Sequence, residues 1–98
     1  MAEKTVSLEL KQAIQLAKSN IEKFHNAQIE EVKIIETMQG GNCWRKSVAI
    51  EKVGLYIPGG SAPLFSTVLM LGIPAILAGC GEIILCSPPD AEGKINAA

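Results

Sequence analysis

At 98 residues the chain has room for one small domain at most, and a domain of that size buries only about two thirds of its unfolded surface. Hydrophobic residues make up 48%, aromatic residues 4% and charged residues 19%, a more aliphatic and less charged mixture than an average soluble domain. A formal net charge of -1, with no basic stripe interleaved with aromatics, removes the electrostatic case for nucleic acid or an anionic membrane as partner.

The first element in chain order is an amphipathic helix over residues 7–28. Leu10, Ile14, Ala17, Ile21 and Phe24 recur at spacings of four and three, while Lys11, Lys18, Glu22 and Lys23 fall on other faces. Ser7 is placed to cap it, and Glu9 puts negative charge in the first turn, where the helix dipole favours it. A β-hairpin is expected next. Val32 to Glu36 is short and rich in β-branched residues, and Met38-Gln39-Gly40-Gly41-Asn42 is a turn signal. Beyond the turn Trp44, Lys46, Val48 and Ile50 alternate with Cys43, Arg45, Ser47 and Ala49, which suits an exposed antiparallel strand.

At Val53 the character changes, and no charged side chain occurs between Lys52 and Glu82. Val53 to Ile57 is an apolar run expected of a strand covered on both faces, bounded by Pro58-Gly59-Gly60. Ser61-Ala62-Pro63 then opens a helix that runs to about Leu71, where Gly72 and Pro74 interrupt it, leaving a short second turn or a kinked continuation. Glu82 to Ser87 is the next strand. The unit reads as βαβ, with parallel strands and a right-handed crossover. Pro88-Pro89-Asp90 leads toward a further helix with Asp90 near its cap, and the sequence reads as cut before that helix gathers its apolar face.

The architecture expected is therefore α/β: an amphipathic helix and a β-hairpin in a first lobe over residues 1–52, followed by a truncated Rossmann-like βαβ lobe over 53–98 with an incomplete sheet. So much uncovered apolar surface implies assembly into something larger. Pro63 to Cys80 reaches the lower length limit of a membrane helix, but Gly72 and Pro74 at its centre and the short second strand argue against a span. Cys43, Cys80 and Cys86 form no CxxC, and the charged start of the chain lacks the apolar run of a secretory signal. Reduced, structural thiols in a cytoplasmic protein follow as the expectation.

The glycine turn carries the functional content. In a βαβ unit the loop leaving the first strand faces the crevice where ligands bind, and Gly59 and Gly60 would let a phosphate or ribose approach the main chain. The text PGGSAP is not GxGxxG, however, and no acidic residue follows about twenty positions later. Pattern alone leaves a structural turn and a nucleotide site both open. Tyr56, just before the turn, is either a ring for stacking or a cap on the sheet edge with its hydroxyl in water. Ser61 and Ser66 have no base at hand, His25 reads as a polar position late on the first helix, and no carboxylate pair or metal-ligand spacing is visible.

Two segments, AIQLAKSNIEKFHNAQ (residues 13–28) and VGLYIPGGSAPLFSTVLMLGIPAILAGCGEIILCSPPDAEGKINAA (residues 53–98), together resemble the histidinol dehydrogenases of histidine biosynthesis. QGGNCWRKSVAIEKVG looks like the family's connecting hairpin. The resemblance implies a zinc-dependent oxidoreductase that converts L-histidinol to L-histidine through the aldehyde, consuming two NAD, in a homodimer whose subunits complete each other's active sites. It implies that Tyr56 and Pro58, with Gly59 and Gly60 behind them, contact NAD. It assigns no catalytic or zinc residue to this chain, since the family's zinc ligands and catalytic Glu-His pair lie downstream of the position matching Ala98, and His25 matches a helix position and not a ligand. Cys43 and Cys80 match family cysteines near the site and are read as structural. The chain is then expected to be an amino-terminal piece, inactive alone; the competing expectation is a free-standing, self-associating α/β module without catalytic activity.

Overall fold

In a computed structural model, residues 6–59 and 64–95 are described. Helix α1 spans Leu8–Asn26, strands β1 (Ile34–Met38) and β2 (Gly41–Trp44) form a hairpin, and β3 (Lys52–Tyr56), α2 (Phe65–Leu77) and β4 (Glu82–Cys86) form the βαβ unit. The class is α/β with two separate two-stranded sheets, β1-β2 and β3-β4.

Helix α1 starts where its chemistry dictates. The Ser7 hydroxyl accepts the Leu10 N–H at 3.2 Å, Glu9 lies in the first turn, and Lys23 and His25 lie in the last. Leu10, Ile14, Ala17 and Ile21 are half-buried on the side that packs against α2, whereas Phe24 stays 63% exposed. The hairpin turns at Gln39-Gly40, with Gly40 at φ 77°, a left-handed conformation that glycine takes without strain. Its register runs Ile34↔Trp44, Ile35↔Cys43 and Glu36↔Asn42, then shifts between Glu36 and Met38, so that Thr37 is the extra residue of a bulge.

The alternation expected through Ile50 does not become a strand: β2 ends at Trp44, opposite the first residue of β1. A strand persists only while a neighbour supplies hydrogen bonds, and Lys46 to Ile50 have none.

Strands β3 and β4 are parallel, paired Lys52↔Glu82 through Tyr56↔Cys86, and α2 connects them as the sequence implies. The ladder continues past the strands: Ile57 N–H donates to Cys86 O at 2.9 Å, and the Ser87 hydroxyl donates to Ile57 O at 3.1 Å. Val53 and Leu55 are half-buried and Ile57 is buried on the side of α2, while Lys52, Gly54 and Tyr56 are exposed on the other. The cover expected on both faces of β3 is therefore present on one. Helix α2 does not stop at Gly72 and Pro74 but runs to Leu77. Pro74 forfeits one N–H bond, and the helix carries on below it, with Ala78 N–H donating to Pro74 O at 2.8 Å. The expected helix start at residues 61–63 lies outside the described residues.

After β4 the chain forms a closed turn, not the helix expected at Asp90. Asp90 N–H donates to Lys94 O at 2.8 Å, and Asp90 Oδ1 accepts the N–H groups of Glu92 and Lys94 at 3.0 and 2.7 Å. The aspartate side chain thus competes with the helix for its backbone donors.

Packing is sparse. Among the described residues only Ile57 and Ile73 are buried hydrophobics. The molecule measures 66 × 26 × 22 Å with a radius of gyration of 18.8 Å, against about 13 Å for a compact chain of this length. It exposes 8248 Å², where a compact monomer of this mass would expose roughly 5,400 Å². The surplus is what the uncharged stretch from Val53 to Gly81 foreshadows. Cys43 and Cys86 are exposed and Cys80 is half-buried, all three as free thiols.

Candidate functional site

The carboxyl ends of β3 and β4 and the first turn of α2 enclose a cleft of about 350 Å³. That lies toward the small end of the roughly 300–1,000 Å³ typical of ligand pockets. Its position follows from topology, because both parallel strands deliver their following loops to the same edge, the usual binding edge of an α/β sheet. Ile57, Phe65, Val68 and Leu85 supply apolar wall. Pro58 and Gly59 arrive from β3, and Ser87, Pro88, Pro89 and Asp90 from β4, with Lys94 and Ile95 at the rim. Helix α2 starts here with no side-chain cap and no acidic residue in its first turn.

Of the residues singled out in the glycine turn, Pro58 and Gly59 line this cleft. Tyr56 does not line the cleft: strand alternation sends it to the opposite face from Ile57, and it is 62% exposed. Gly60 is outside the described residues. Gly59 has a packing reason of its own, since a β-carbon there would lie 2.7 Å from Pro88 Cγ. The close approach its missing side chain permits is that of the neighbouring loop.

The β4 loop is the part that sequence reasoning missed. Ser87 ties the two loops together through Ile57 O, and Asp90 fixes Lys94 in the turn at the cleft edge. The available signal was Pro88-Pro89-Asp90 directly after a parallel strand, a loop bound to reach the same edge.

Other candidates stay apart from this edge. His25 Nδ1 lies 2.7 Å from Gln28 Oε1 at the end of α1, and its ring meets Phe24 edge-on. Trp44 and Cys43 lie on the hairpin groove, with the Thr37 hydroxyl 3.6 Å from Cys43 Sγ and an Arg45–Glu30 ion pair of 2.8 Å beside them. Among the described residues no three His, Cys, Asp or Glu side chains come together as a metal site, and no helix is long and apolar enough to cross a membrane.

Comparison with known proteins places the chain in one family. The family model described as histidinol dehydrogenase matches residues 1–98. A histidinol dehydrogenase of Bacteroides fragilis is 68% identical over 97 residues, which are 99% of this chain and 23% of that protein. That of Pasteurella multocida is 56% identical over 94 residues, 96% of this chain and 22% of the relative. The crystal structure of histidinol dehydrogenase from Elizabethkingia anophelis superposes with a TM-score of 0.91 at 67% identity, covering 98% of this chain and 22% of that one. The chain spans less than a quarter of the length of these relatives, and over that span it belongs to the histidinol dehydrogenase family.

Proposed function

We propose that this chain works as part of a zinc-requiring, NAD-linked histidinol dehydrogenase that oxidises L-histidinol to L-histidine through the aldehyde in histidine biosynthesis. Its share is part of the NAD site, and the 98 residues alone are inactive. The observation that carries this reading is the cleft at the carboxyl ends of β3 and β4, in a chain whose whole length matches the family. The apolar wall suits a flat ring, and Ser87, Asp90 and Lys94 at the edge suit polar groups. About 350 Å³ holds a portion of a dinucleotide, so other parts of the enzyme supply the remaining contacts.

When bound, NAD supplies the hydride acceptor for both oxidation steps. This chain's residues would bind and orient it. Pro58 and Gly59 wall the cleft, Gly60 next to them in the sequence is assigned to the same NAD contact, and the exposed ring of Tyr56, at the same strand end, offers a stacking face to the portion extending beyond it. The described residues do not fit a zinc site, so no step through zinc is assigned to them. The lobe boundary near Lys52, the homodimer and the cytoplasmic location belong to the same proposal; α1 packing on α2 supplies contact across that boundary.

The test is a chimera: the Bacteroides fragilis enzyme with its matched 97 residues replaced by this chain. Histidinol-dependent NADH formation near the parent's rate supports the assignment. A folded, dimeric chimera with no activity contradicts it.

A further inference from the structure

We infer that Lys94 is an anion-binding residue of the cleft, contacting a phosphate group of the dinucleotide; this rests on the NAD reading above. Among the residues lining the cleft, Asp90 and Lys94 alone carry formal charge. They are not equivalent. One oxygen of the Asp90 carboxylate is occupied by two backbone N–H groups, at 3.0 and 2.7 Å, and its charge is partly spent on closing the turn. Lys94 is held at the rim by its backbone, donating its N–H to Asp90 Oδ1 and accepting Asp90 N–H at its carbonyl. Its ammonium makes no ion pair among the described residues, a state it shares with Lys11, Lys23, Lys33 and Lys46, and it differs from them in lining the cleft. The side chain is thus a cation with a fixed base in the lining of an apolar cleft, and the one carboxylate beside it already accepts two backbone N–H groups.

On its Cα side Gly59 is closed by the Pro88 ring, whose Cγ would lie 2.7 Å from a β-carbon there. Lys94 is the one cation among the described residues of the lining, and a pyrophosphate between two ring systems is the ligand chemistry that matches a cleft with an apolar wall and an ammonium in its lining.

The test is NAD titration of the chimera carrying Lys94→Ala, Lys94→Arg and Tyr56→Ala, at low and high ionic strength. Lys94→Ala is expected to weaken NAD about tenfold at low salt and to flatten the salt dependence, while leaving the KM for histidinol unchanged. Lys94→Arg is expected to restore most of the affinity. Wild-type NAD affinity in Lys94→Ala, or equal losses in the Ala and Arg variants, overturns the inference. If Lys94→Ala binds normally while Tyr56→Ala does not, Lys94 is wrong and the cofactor reading stands. If both bind normally, both are wrong.

Discussion

A β-carbon on Gly59 would sit 2.7 Å from Cγ of Pro88, inside any normal carbon–carbon contact. The two residues leave adjacent parallel strands and meet at the cleft edge, so the absence of one side chain is what lets the other loop close. The contacted atom belongs to a proline ring, which cannot swing aside. Gly59→Ala is therefore expected to destabilise the chimeric enzyme by about 1–3 kcal/mol through overpacking, and Pro88→Ala in the same molecule to recover most of that loss. Thermal unfolding of the two single variants and the double variant checks this; additive losses would contradict the contact.

The side chain of Ser87 and the ion pair at the other end of the same strand pair invite direct comparison. The Ser87 hydroxyl holds a part-buried carbonyl at 3.1 Å, while Lys52 and Glu82 pair at 2.9 Å in the open. Ser87→Ala should cost about 0.5–1.5 kcal/mol, and Glu82→Gln about 0–1 kcal/mol, the latter vanishing in high salt. Urea unfolding at two salt concentrations separates them. A larger, salt-sensitive loss at Glu82 would reverse the ranking.

Ser7 supplies a third test. Its hydroxyl satisfies the Leu10 N–H, so Ser7→Ala should cost about 1 kcal/mol and Ser7→Asp close to nothing. Equal destabilisation by both changes, measured by denaturant midpoint, would show that Ser7 acts by something other than capping.

The isolated chain should not persist as a compact monomer. Its 8248 Å² of exposed surface exceeds the roughly 5,400 Å² expected by an amount comparable to a large protein interface. Exposed Ile34, Ile35, Met38 and Trp44 on the hairpin and Ile84 and Leu85 on β4 contribute to it. Sedimentation velocity is expected to show concentration-dependent association, with strong binding of a hydrophobic dye. A single monomeric species with a radius of gyration near 13 Å would contradict the open arrangement.

Local signals were legible where one segment determined its own structure. Ser7 capped α1, Gly40 made the hairpin turn, and the uncharged stretch after Lys52 gave a βαβ unit with parallel strands. Legibility failed where a partner decided and where two local tendencies competed. The alternation from Lys46 to Ile50 needed a neighbouring strand and has none, and Gly72 with Pro74 did not end α2, because its flanking hydrogen bonds outlast one missing donor. Asp90 turned its carboxylate on its own backbone instead of starting a helix. At the site, Pro58 and Gly59 were placed from the glycine turn, but Ser87, Pro88 and Lys94 come from a loop that only sheet pairing brings alongside. The signal for that proximity was Pro88-Pro89-Asp90 directly after the second parallel strand, read through the topology and not through any residue pattern. Tyr56 was identified by its position in the chain, and strand alternation puts its ring on the other face from the cleft wall.

That separation makes Tyr56 the sharpest point of the account. The most direct measurement is calorimetric titration of NAD into the chimera, repeated on Tyr56→Ala and Tyr56→Phe. Stacking on a base or nicotinamide ring is worth about 1–3 kcal/mol, so Tyr56→Ala should weaken NAD at least several-fold while Tyr56→Phe keeps most of the affinity. Unchanged NAD binding in a folded Tyr56→Ala variant would contradict the claim that this strand end forms part of the cofactor site.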